Sequence, residues 1–123
     1  MKISELYTTE LHDAGSEIEI LDDQGEKTGL FITVAGMDSS VFRGAAKKQQ
    51  KAYMESIRNN KDFDEESMMI DSLVASTLSW KGTDEQFTKK LCKELYTKAP
   101  YIREQIDTFM ADRSNFTIAK PKK

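Results

Sequence analysis

The sequence predicts a helix-dominated α+β domain, with an N-terminal β-hairpin and about four helices. Three observations carry this. In "SEIEIL", residues 16–21, Ile18 and Ile20 alternate with Glu17 and Glu19, the period of a half-buried strand. "LFITVAG", residues 30–36, is rich in β-branched and aromatic residues, and the polar, glycine-bearing "DDQGEKTG" before it reads as the loop of an antiparallel hairpin. Beyond Ser39 the apolar residues recur at helical spacing. A chain of 123 residues, 38% hydrophobic and 32% charged, fits one domain with a modest core and a heavily charged surface.

Taken in order, the first dozen residues form a short helix or an irregular arm using Leu6, Tyr7 and Leu11. Gly25 and Gly29 serve the hairpin loop. Gly36 permits a turn where the second strand ends, and Asp38 or Ser39 caps a helix running to about Asn59. That helix carries Val41, Phe42, Ala45, Ala46, Tyr53 and Ile57 as a patchy apolar stripe, interrupted by the polar run "KKQQK" at 47–51. Asn59-Asn60 ends it. Asp62 or Asp64 caps the next helix, which extends to about Ser79 with Met69, Ile70, Leu73, Val74 and Leu78, and Gly82 follows as its C-terminal glycine. "TDEQ" at 83–86 fits a capping box, with Phe87, Leu91 and Leu95 on one face of the helix it starts. Pro100 opens the last helix, marked by Ile102, Ile106, Phe109 and Met110. "SNFTIAKPKK" reads as a tail, with the domain proper drawn at 1–116 and a basic extension at 117–123.

Charge is unevenly placed. Residues 1–38 hold 2 basic and 9 acidic side chains, whereas residues 43–61 hold 6 basic and 1 acidic. The net charge of -3 argues against a dedicated nucleic-acid binder. Cys92 is the sole cysteine, which excludes an internal disulfide and is consistent with a reducing compartment. No stretch has the apolar length of a signal peptide or a membrane span. A soluble protein with no membrane association is expected.

Little in the sequence points to catalysis or metal binding. His12 and Cys92, each the only residue of its kind, lack the context of an activated nucleophile. Cys92 reads as a small core residue, and His12 as a surface loop side chain. "DFDEES" fails as a calcium loop, because its sixth and twelfth positions hold Ser67 and Leu73 instead of glycine and glutamate. Its acids suit a helix N-terminus. "GMDSSVFRG" lacks the Lys-Ser or Lys-Thr of a phosphate loop. No catalytic residue, metal ligand or cofactor is therefore assigned. Arg43, Lys47, Lys51 and Arg58 recur at helical spacing as a basic ridge. This is a solvated face, a phosphate contact, or a surface for the acidic N-terminal third or an acidic partner.

Two stretches carry a resemblance. "TGLFITVAGMDSSVFR", Thr28 to Arg43, resembles the segment in tail assembly chaperones of long-tailed, lambda-like siphophages where a strand "TG-x-x-x-x-V-x-G" runs into "x-DS-x-x-[YF]-R". The C-terminal part is similar too: Trp80 and Gly82, then Phe87, Leu91, Pro100, Ile102, Gln105 and Ile106, ending in "ADRSNF" at Ala111 to Phe116. The resemblance implies a non-enzymatic chaperone that binds the tape measure protein and helps recruit the major tail protein. It would act in the host bacterial cytoplasm during infection and be absent from the mature virion. Many such proteins have a longer, frameshifted form, and "KPKK" is compatible with a slippery message. Self-association into an oligomer or ring would suit a coat around an extended client.

Helix-on-helix holding of a client requires exposed apolar surface, and methionine adapts to varied partners. Met68 and Met69 point about 100° apart on a helix, so both cannot face one core. One of them, with Val74 or Leu78, is the candidate client-binding patch. Two further readings are a structural protein retained in the virion, such as a head–tail connector or tail accessory, and a small DNA-binding regulator using the basic ridge.

Overall fold

The computed structural model describes residues 1–117. A 3-10 turn at Ile3–Leu6 and helix α1 (Thr9–Ala14) lead into strands β1 (Ser16–Leu21) and β2 (Lys27–Val34). Helices α2 (Ser40–Arg58) and α3 (Glu65–Ser76) follow, then strand β3 (Thr77–Lys81), helices α4 (Lys89–Lys98) and α5 (Pro100–Ala111), and a 3-10 turn at Arg113–Phe116. The architecture is α+β. An antiparallel sheet in the order β1-β2-β3 has helices on one face and solvent on the other.

The hairpin forms as its alternation requires. Asp22 closes the turn: its Oδ1 accepts from the N–H groups of Gln24 and Glu26, both at 2.9 Å, while Gly25 takes φ +81°. Ile18 pairs with Ile32 and Ile32 with Trp80, which turns these side chains toward the helices. Glu17, Thr33 and Ser79 share the opposite face, as do Glu19, Phe31 and Lys81. The core joins Ile20, Ile32 and Val34 of the sheet to Ile70, Leu73 and Val74 of α3, Cys92 and Tyr96 of α4, and Ile102, Ile106 and Met110 of α5. The Gln105 side chain pairs with both backbone groups of Leu21 at 2.9 and 2.8 Å, covering one open position on the β1 edge.

β3 departs from the sequence reading, which runs the third-quarter helix on to Ser79. The helix stops at Ser76 because its end is claimed by the sheet. Ala35 N–H donates to Ser76 O at 2.8 Å, and Thr77 and Trp80 pair with Val34 and Ile32. The orphaned carbonyls are satisfied by a side chain from another helix: Lys89 Nζ donates to Val74 O at 2.9 Å, Ala75 O at 3.3 Å and Thr77 O at 2.7 Å. Leu78 is the extra residue of a bulge opposite Thr33 and Val34. Gly82 therefore follows a strand, not a helix. At φ +93° it lies so close to Gly29 O that any Cβ would collide with it.

"TDEQ" likewise caps nothing. Residues 82–88 form a loop in which Glu85 O accepts from the Trp80 indole at 2.8 Å and Phe87 meets Trp80 edge-on at 5.1 Å. The helix starts at Lys89, and Thr88 is its cap, accepting from Leu91 N–H at 3.0 Å. Other boundaries match the sequence: Ser39 caps α2, Asp64 caps α3, Asn59-Asn60 ends α2 with Asn60 at φ 54°, and Pro100 opens α5. The start of "SNFTIAKPKK" is structured, since residues 114–116 belong to the last 3-10 turn and Phe116 is buried. The basic extension assigned to 117–123 lies outside the described residues beyond Thr117.

Candidate interaction surfaces

The strand-to-helix joint is built around a buried histidine. His12 is 1% exposed, not a surface side chain, and its ring stacks on Phe116 at 4.8 Å. Gly36 lies against the ring so closely that a Cβ there would overlap His12 Nδ1. The chain turns here as the sequence predicts, with Ser39 N–H donating to Gly36 O at 3.0 Å, and the ring contact adds the reason that the position has no side chain. Asp38 N–H donates to His12 Nδ1 at 3.1 Å, which leaves Nε2 to carry the ring proton, 3.5 Å from Asp38 Oδ2. The Asp38 carboxylate accepts from Arg113 Nε at 2.7 Å and Nη2 at 3.0 Å. The Arg113 guanidinium holds the Asp38 carboxyl below its usual range. Asp13 completes the joint by accepting from Ser40 N–H at 2.7 Å at the start of α2. The "MDSS" and "ADRSNF" stretches, 75 residues apart at Asp38 and Arg113, thus form one lock between the N-terminal and C-terminal parts.

Among the described residues, no group of three or more His, Cys, Asp or Glu side chains is placed to hold a metal ion. Cys92 is fully buried beside Thr77 and Tyr96, away from the His12 lock, and burial pushes its thiol up. The Tyr96 hydroxyl is also pushed up, chiefly by burial, and meets Thr77 Oγ1 at 2.8 Å.

The exposed apolar residues concentrate elsewhere. α2 is 19 residues long and none of them is buried. Its contact with α3 is a stripe of half-buried Phe42, Ala45, Gln49, Ala52 and Ser56. The Gln49 amide donates to Met68 O at 2.6 Å and to Ser72 Oγ. Small and polar residues make this a shallow seam with an open cleft of about 450 Å³ between the helices. Tyr53 and Ile57, one helical turn apart, are 47% and 59% exposed, and Tyr53 meets Phe63 edge-on at 5.2 Å. The first ten residues are also exposed throughout, including Ile3, Leu6 and Tyr7. A separate cleft of about 370 Å³ lies between sheet and α4, lined by Leu30, Trp80, Leu91, Leu95 and Ala99 with Glu85, Glu94 and Lys98.

The residues read from sequence as a client patch divide between core and surface. Val74 is buried in the core. Met68 is half-buried at the α2–α3 seam, and Met69 is exposed on α3. Leu78 is exposed on the bulge of β3, against Gly15. The basic ridge does come together: Arg43, Lys47, Lys51 and Arg58 are all exposed on α2, opposite the seam, with Met54 among them. None of these four has a carboxylate partner among the described residues. The exposed flank of Tyr53 and Ile57 was legible in outline, since both belong to the stripe that "KKQQK" interrupts. Its exposure was not, because that depends on what α3 offers in return.

No protein-family model, curated protein or solved structure matches the chain. Among the described residues, no helix is long and apolar enough to cross a membrane.

Proposed function

We propose that this protein is a non-enzymatic tail assembly chaperone of a long-tailed phage, binding the helical tape measure protein and helping to recruit the major tail protein. It would work in the cytoplasm of the infected bacterium and leave before the virion is complete. The observation that carries the reading is α2: a 19-residue helix with no buried residue, whose Tyr53 and Ile57 stand in water at the spacing an incoming helix would match. A helix with so little packing in its own fold is suited to completing its packing on a client. The meeting of the two family-like stretches at Asp38 and Arg113 supports the resemblance, since it gives both of them one structural task.

Co-expression with the tape measure protein of the same phage tests the reading. The wild-type chain is expected to keep that protein soluble and to co-purify with it. Ile57→Glu, alone and with Tyr53→Ser, is expected to lose the client while keeping its own thermal transition. The protein's presence in purified virions would contradict the chaperone reading and favour a structural role.

A further inference from the structure

The molecule has two strongly charged surfaces of opposite sign, and among the described residues no ion pair neutralises either. The first is the β1–β2 hairpin, where Glu19, Asp22, Asp23 and Glu26 have no basic partner among the described residues. The second is the outer face of α2, with Arg43, Lys47, Lys51 and Arg58. α2 rests on α3 and α1, and no ion pair joins it to the hairpin. Each surface also carries an exposed apolar side chain among its charges: Leu21, 38% exposed, on the hairpin and Met54, 54% exposed, on the ridge.

We infer that the acidic hairpin of one copy seats on the basic α2 ridge of a second copy, with Leu21 against Met54 inside a charged rim. Several opposite charges on rigid elements provide both attraction and register, and the apolar pair supplies the dry centre that exposed ion pairs alone lack. The two faces are different patches of one molecule, so the contact is heterologous. A pair joined this way keeps one free hairpin and one free ridge, so the assembly grows head to tail into a ring or an open filament. The client flank at Tyr53 and Ile57 lies beside the ridge on α2, and the self-association does not depend on it.

Charge reversal tests the contact. Sedimentation velocity of the wild-type chain is expected to show a mass that rises with concentration at about 0.01 M salt and falls back to the single chain at about 1 M, as the screening length shrinks from about 30 Å to about 3 Å. Two variants, Lys47→Glu with Lys51→Glu and Asp23→Lys with Glu26→Lys, are each expected to stay monomeric with an unchanged thermal transition. Mixed in equal amounts they are expected to associate again, because each restores the complement the other has lost. Combining all four substitutions in one chain should also recover association, which keeps the test decisive if one half-variant folds poorly. A wild-type chain that stays monomeric at low salt would overturn the inference. So would reversal variants that associate like wild type, or a mixture and a four-fold variant that both fail to recover. Retention of duplex DNA by the wild-type ridge without self-association would assign it to nucleic acid instead.

Discussion

Gly36 and His12 occupy one site together, and each sets what the other can be. Adding a methyl at Gly36 drives it into the His12 ring, so Gly36→Ala is expected to cost about 1–3 kcal/mol as overpacking. His12→Ala removes the acceptor of the Asp38 N–H and the stack on Phe116, again about 1–3 kcal/mol. The double variant should cost less than the sum, because the empty ring site accommodates the new methyl. Urea unfolding of the four chains reads the coupling, and strict additivity would contradict the contact. Asp38 sets a pH dependence of known sign. Its carboxyl is lowered by Arg113 in the folded state, so the stability it contributes is present above its unfolded value of about 3.9 and is lost as pH falls through the lower folded value. Asp38→Asn is expected to flatten the fall in Tm through that acid range. A residual slope remains from Asp112, whose carboxyl is lowered by hydrogen bonds from Ser114. At this scale the sequence showed Ser39 as a cap and Cys92 as core. It did not show that His12 is buried, because its neighbours Gly36, Asp38 and Phe116 are 24, 26 and 104 positions away. Cys92 should react with a thiol reagent only on unfolding, and rapid labelling of the native chain would contradict its burial.

The end of α3 shows how one element's boundary is set by others. Periodicity alone carries that helix past Thr77, whereas pairing with β2 and three hydrogen bonds from Lys89 stop it at Ser76. Lys89→Met keeps much of the side-chain bulk but removes the donors, and should cost about 1–3 kcal/mol. A lower urea midpoint with an unchanged slope is the expected readout, and an unchanged midpoint would show the capping to be idle. The same logic explains the false capping box. Thr83 and Gln86 have the right spacing, but the Trp80 indole holds Glu85 O in a loop and Thr88 offers a cap next to the helix that forms. Strands β1 and β2 were legible because their alternation is local. β3 was not, since "TLSWK" has no strong alternation and becomes a strand only beside β2.

At the scale of the whole molecule, burial is divided unequally. β1, β2, α3, α4 and α5 close one core, and α2 adds only the half-buried Phe42 to its margin, with a basic ridge opposite its seam and an apolar flank at Tyr53 and Ile57. The sequence predicted the ridge because lysines and arginines at helical spacing need no tertiary information. It placed the client patch on Met68, Met69, Val74 and Leu78, where Val74 proved to be core and Leu78 to lie on a strand. Which apolar face a helix leaves open depends on how many neighbours cover it, and α3 is covered on more sides than α2. The central claim is that α2's open flank holds a helical client. It is tested most directly by co-expressing the tape measure protein with the wild-type chain and with Ile57→Glu, and measuring the client recovered in the soluble, co-purified fraction. The account predicts a complex with wild type and its loss with Ile57→Glu, at unchanged Tm of the variant. Equal recovery of the client with both chains would contradict it.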